Sequence, residues 1–236
     1  MDRVASAERY DGASIGGGAC GLGVALDAAA RGLRVVLVES HDFASGTSSR
    51  STKLLHGGVR YLAQGNISLV REALHERSAV LHNAPHLAHA LPFVMPSYSW
   101  WQQPFYGLGL KAYDLLAGRA GLGPTEFLSP TQTQTCLPNL KRPGLKGGVK
   151  YWDAQFDDAR LALALARTAA HHGALLVNYC AATGLIHATG KVTGLHCAAR
   201  DPGPPFTLPA ACPLHAPGVW AGELRPPRRA RGGRRG

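Results

Sequence analysis

An α/β fold opening on a β-α-β unit is what this sequence predicts, and three observations predict it. Residues Gly16-Gly17-Gly18-Ala19-Cys20-Gly21 form a G-x-G-x-x-G turn, a helix-like stretch follows, and a β-branched run then ends in the acid Glu39. In that order the first two glycines let the chain leave a strand tightly and approach a pyrophosphate, and the third lets helix and strand pack closely. The helix N-terminus offers unpaired N–H groups and the positive end of its dipole, while a carboxylate roughly 20 residues on receives ribose hydroxyls. Gly16, Gly18, Gly21 and Glu39 are therefore the expected dinucleotide-binding residues. A glycine-rich turn without a ligand is the plain alternative.

Each element has its own reason. Tyr10–Ile15 reads as a short strand, although Gly12, Ala13 and Ser14 are poor residues for a central buried one and predict fraying. Ala19–Arg31 has helical composition, Gly32 stops it, and Leu33–Val38 is the second strand. The polar Ser40–Ser51 stretch is loop-like, and such a segment after the ribose carboxylate suits a flavin domain, where hydroxyl and amide groups line a second ring system. Asn66 caps a helix through Val70, Leu74, Ala79 and Leu81 that Pro85 closes. Leu91–Met95 reads as a strand, Phe105–Leu116 as a helix ended by Gly118, and Lys146–Trp152 as a strand. Asp157 or Asp158 opens an alanine-rich helix to about His171, and Leu175–Asn178 extends after Gly173. Gly184–Thr189 and Val192–Ala199, joined through Gly190 and Lys191, form a hairpin.

Composition is that of a globular chain with ample length for a core. Of the net charge of +10, six units come from arginines between Arg225 and Arg235, leaving +4 on residues 1–224. The tail has no aromatic residue to stack on a base, so no nucleic-acid partner is expected. Five cysteines without a C-x-x-C pair fit a reducing compartment and give no metal site. Met1–Glu8 lacks the apolar core of a signal peptide. Ser78–Leu110 carries no Asp, Glu, Lys or Arg, but its prolines argue against a spanning helix, and Trp100 and Trp101 are expected in a core rather than at a membrane interface.

The run Gly46-Thr47-Ser48-Ser49-Arg50-Ser51-Thr52-Lys53-Leu54-Leu55-His56-Gly57-Gly58-Val59-Arg60-Tyr61-Leu62 carries a resemblance. With the glycine turn before it, Glu72-Ala73-Leu74-His75-Glu76-Arg77 and Ala84-Pro85-His86-Leu87 after it, and Asp157-Asp158-Ala159-Arg160 further on, it resembles the FAD-dependent, quinone-linked respiratory glycerol-3-phosphate dehydrogenases over about residues 9–200. Ala216-Pro217-Gly218-Val219-Trp220-Ala221 is similar to the family's N-A-T-G-x-W closing turn, with His215 where Asn is usual and Pro217 where Thr or Ala is usual.

The resemblance implies an FAD-binding Rossmann-like α/β fold of the glutathione-reductase and amino-acid-oxidase type, with part of a substrate-side domain. It implies a flavin-binding first segment over 9–90, a partial substrate region over 91–146, a second flavin segment over 147–224 and a disordered basic tail over 225–236. It implies oxidation of glycerol 3-phosphate to dihydroxyacetone phosphate, quinone as acceptor, and a peripheral place on the cytoplasmic side of the inner membrane or in the cytoplasm. Within it Arg60 and Tyr61 are the expected substrate ligands, since a guanidinium fork matches phosphate oxygens. His56 is either the proton acceptor or a backbone-bonding residue. Thr47, Ser48 and Ser49 are expected on FAD, Lys53 on FAD or in solvent, and Arg160 in the site or paired with Asp157 or Asp158. A related flavoenzyme, such as a glycerol-3-phosphate oxidase or an amino-acid-oxidase relative, is the alternative. So is a catalytically dead fragment: the match is to the N-terminal portion of the family, nothing family-like follows Leu224, and a truncated flavin domain with an altered closing turn is expected not to close properly.

Overall fold

Strand β1 (Tyr10–Ile15) passes through the glycine turn into helix α1 (Ala19–Ala30), and β2 (Val35–Val38) completes the β-α-β unit. A 3-10 turn at Thr47–Ser49 leads to β3 (Leu54–Leu55), the single-turn α2 (Val59–Leu62), α3 (Ile67–Asn83), β4 (Ala88–Ser97) and α4 (Gln102–Ala117). Next come β5 (Glu126–Leu128), α5 (Pro130–Cys136), β6 (Gly147–Phe156) and α6 (Asp158–His171). The chain continues through β7 (Leu175–Val177), β8 (Cys180–Ala188), β9 (Lys191–Ala199) and β10 (Phe206–His215). This computed structural model describes residues 9–62, 64–200 and 203–220, with the Arg60 side chain and the tail over 225–236 outside the described residues.

Two compact units form, one from the residues through Ser51 together with those from Asp158, the other from Thr52–Asp157. The observed breaks at 51/52 and 157/158 differ from the expected 90/91 and 146/147, because α2 and α3 pack with α4 in a common core.

The first unit is a six-stranded sheet in the order β7-β2-β1-β10-β9-β8. β7, β2, β1 and β10 are parallel, and β10, β9 and β8 pair antiparallel. The period-2 alternation of β2 sends Val35 and Leu37 to one face, against Leu22, Ala25, Ala29, Ala162, Ala166 and Ala169 of α1 and α6. Val36 and Val38 go to the other, against Leu195, Cys197 and Leu208 of the meander. β1 is not frayed: it is central and buried from Gly12 onward. Its small residues permit this: Ala13 packs with Val36 and Val38 on the meander face, and on the other Ser14 satisfies its hydroxyl on the Gly21 carbonyl at 3.3 Å.

The second unit has β6 at its centre, paired antiparallel with β4 along its whole length and with β3 and β5 on the other side. Val70, Leu74, Tyr113 and Ala117 form its core, with Val59, Tyr61, Leu62 and Leu116 against them. Asn66 caps α3 by accepting from Leu69 N–H, as its sequence predicts. Trp100 and Trp101 are not in this core: they are 82% and 47% exposed, because α4 buries the face of Gly107, Leu110, Tyr113 and Ala117 instead.

Candidate dinucleotide site and the glycine turn of the second unit

The glycine turn is shaped by contact as much as by conformation. Gly16 has φ +112, and a Cβ there would strike the Ala216 carbonyl; a Cβ on Gly21 would strike the Gly16 carbonyl. Gly18 is the extended N-cap of α1 and supplies no side-chain cap, so acceptors for the first N–H groups of the helix must come from elsewhere.

Two side chains converge there. Glu39 Oε2 accepts the Gly17 N–H at 2.6 Å, while Oε1 accepts the His41 N–H at 2.8 Å and the Ser40 hydroxyl at 3.2 Å. A carboxylate has about four acceptor positions, so acceptor capacity remains for a ribose hydroxyl. Ser48 Oγ accepts the Ala19 N–H at 2.9 Å at the N-terminal end of α1, and helix N-termini favour anions. The loop between them is tied back by the Ala44 N–H on the Gly17 carbonyl at 2.9 Å, with Ala44 itself in the left-handed region at φ 60. Ser49 donates its hydroxyl to the Ala44 carbonyl and so serves the loop's own shape, whereas Thr47 is exposed on the 3-10 turn.

The far wall comes from β10. Ala216 N–H donates to the Ile15 carbonyl at 2.9 Å, and the Trp220 ring lies beside Gly46. Residues 210–215 run beside β1, and Ala216 reaches the glycine turn with His215 and Pro217 in place. These contacts are made by backbone and by the Trp220 ring, not by the two altered side chains. Asp158, at the start of α6, accepts the Ser51 hydroxyl at 2.5 Å and the Ala159 N–H at 2.8 Å.

The remaining expected residues lie in the second unit. Lys53 is left-handed at φ 60, with its carbonyl accepting the Phe156 N–H at 3.0 Å. His56 is exposed and precedes the buried Gly57-Gly58 pair. Arg60 is on α2 with its side chain outside the described residues, and Tyr61 packs against the core.

Sequence reasoning missed what supports that turn. Gly57 N–H donates to both Asp153 carboxylate oxygens, at 3.0 and 3.3 Å, and Arg77 Nη1 donates to Asp153 Oδ1 at 2.9 Å. Burial and then the Asp153 carboxylate push the Tyr113 phenol well above its ordinary range, and the same two causes raise Tyr151. A signal existed: Val70, Leu74 and Arg77 follow i, i+4, i+7 spacing, which sets a cation on the buried stripe of α3 and demands a carboxylate elsewhere.

The chain belongs to the family of FAD dependent oxidoreductases, whose model matches residues 15–234. It is similar to the mitochondrial glycerol-3-phosphate dehydrogenase of Rattus norvegicus, 44% identical over 229 residues, which cover 92% of this chain and 32% of that protein. Among solved structures it is similar to the glycerol-3-phosphate dehydrogenase from Bacillus halodurans complexed with FAD, at 35% identity and TM-score 0.69 over 92% of this chain and 36% of that one. The L-alpha-glycerophosphate oxidase from Mycoplasma pneumoniae, at 17% identity and TM-score 0.67 over 90% of this chain and 55% of that one, shares the fold. The chain thus spans about a third of the length of the curated relative described.

Proposed function

We propose that this chain holds FAD on its first unit and belongs to an enzyme that oxidises glycerol 3-phosphate to dihydroxyacetone phosphate, with quinone as the electron acceptor. The observation that carries the proposal is the convergence of Glu39 and Ser48 on the N–H groups of the glycine turn. The residues fit the group: the backbone of Gly16–Ala19 with Ser48 would hold the pyrophosphate, and Glu39 the ribose. When bound, FAD supplies the hydride acceptor for C2 of the substrate. The protein's share is to orient the alcohol and take its proton. In this reading His56 accepts the C2 hydroxyl proton, Arg60 grips the phosphate with its guanidinium fork, and Tyr61 adds a hydrogen bond. Thr47, Ser49 and Lys53 border the cofactor.

Peripheral membrane association is part of the same proposal. Its support is the outward face of α4, where Phe105, Leu108 and Leu115 are 66%, 75% and 84% exposed and the half-exposed Trp101 ring meets Phe105. Aromatic and aliphatic side chains of this kind lie well in the interfacial layer of a bilayer. Among the described residues no helix is long and apolar enough to cross a membrane.

Replacing Arg60 with Lys tests the substrate assignment. The Michaelis constant for glycerol 3-phosphate should rise about tenfold or more, as expected for loss of a bidentate charge-assisted contact, with bound flavin unchanged. Flavin loss with an unaltered Michaelis constant would move Arg60 to a structural role. Reduction of a quinone analogue under nitrogen separates the dehydrogenase from an oxygen-using oxidase.

A further inference from the structure

The buried pair beneath the His56–Gly58 turn has no part in the chemistry above. Arg77 and Asp153 are 1% and 4% exposed, and Arg77 spreads its fork over Asp153 Oδ1 at 2.9 Å, the Tyr113 hydroxyl at 3.3 Å and the Ala120 carbonyl at 2.7 Å. Desolvating two charges cancels much of what their attraction returns, so stability alone is a poor account of such a pair. The informative partner is the Gly57 N–H, which both Asp153 oxygens accept, Oδ1 while also accepting from Arg77.

That N–H belongs to a buried two-glycine turn. Gly57 has no room for a side chain, since a Cβ would strike the Tyr113 hydroxyl and Leu74, and Gly58 lies at φ +79. Two successive glycines bring the chain across the top of α3 and α4 at close range and in doing so give up the side-chain restraints that would fix its direction. Hydrogen bonding has to replace them.

We propose that Asp153, oriented by Arg77, is the positioning residue for His56: its carboxylate fixes the Gly57 N–H and with it the direction in which the preceding imidazole is presented. This rests on the reading of His56 as the proton acceptor. A rigid turn keeps the imidazole within reach of one hydroxyl; a wandering one lowers the fraction of encounters in which proton transfer can occur.

The test is Asp153→Asn in the full chain, which keeps side-chain size and one acceptor oxygen and removes the charge. Two readouts need no turnover: hydrogen exchange at the Gly57 amide and the chemical shifts of the His56 ring protons, both followed by nuclear magnetic resonance. The Gly57 amide should exchange about ten- to a hundredfold faster, the scale set by losing a hydrogen bond to a charged group, and the His56 ring-proton resonances should move as the ring changes its surroundings. With FAD loaded, kcat for glycerol 3-phosphate should fall while KM stays, a split that general loosening of the fold would not give. Unchanged exchange at Gly57 and unchanged His56 ring resonances overturn the proposal. Should Asp153→Asn fail to fold, Arg77→Lys takes its place, keeping the cation and losing the fork; faster Gly57 exchange there supports the proposal and parent-like exchange overturns it. Absence of turnover in the parent chain counts against the dehydrogenase reading alone, because the resonance readouts stand without it.

Discussion

Gly21 and Gly23 lie two residues apart on α1 and differ in what surrounds them. A Cβ at Gly21 would meet the Gly16 carbonyl and the Ser14 hydroxyl, whereas one at Gly23 would meet nothing within 4 Å. Gly21→Ala should therefore cost about 1–3 kcal/mol through overpacking and open the phosphate turn. Gly23→Ala should gain up to about 1 kcal/mol from helix propensity and leave the turn intact. Chemical denaturation of the two variants checks both signs. Tyr113 gives a pH prediction from the same scale. Its phenol is raised by burial and by Asp153, so the folded chain keeps a proton that the unfolded chain loses near pH 10. The stability this contributes is complete below about pH 10 and is lost as pH rises through the folded-state value, because there the native state binds more protons. The melting temperature should fall above pH 10, and fall less steeply in Tyr113→Phe.

At the scale of elements, periodicity made most of the first unit legible. The β-α-β unit, the alanine-rich helix and the hairpin each show a pattern that one burial face dictates: Ala162, Ala166 and Ala169 repeat at helical spacing against α1. β10 was illegible because Pro209 and Pro213 interrupt it, and proline reads as a strand breaker. It is nevertheless a strand, pairing β9 with its first half and β1 with its second. Leu208, fully buried in it, should cost about 2–5 kcal/mol on truncation to Ala. Val219, just beyond it and 76% exposed, should change stability by less than about 0.5 kcal/mol. Equal effects at the two positions would mean that the segment does not pack on the sheet. The site divides in the same way. Glu39 was found from its spacing after the glycines, whereas Arg77 and Asp153 are 76 residues apart, and only the folded sheet brings them together.

For the whole molecule, the glycine turn, Glu39 and Ser48 belong to the unit built from the segments through Ser51 and from Asp158, and the His56–Gly58 turn and Arg60 belong to the intervening unit. The assignment of FAD to the first unit is the claim on which the others depend. Titration of the purified chain with FAD, followed by the visible flavin bands, tests it most directly. The account predicts a bound-flavin spectrum for the parent chain and for Gly23→Ala, affinity lowered about ten- to a hundredfold in Glu39→Ala from loss of a charged acceptor, and no binding in Gly21→Ala. A parent chain that binds no FAD, or one whose affinity survives Gly21→Ala unchanged, would contradict it.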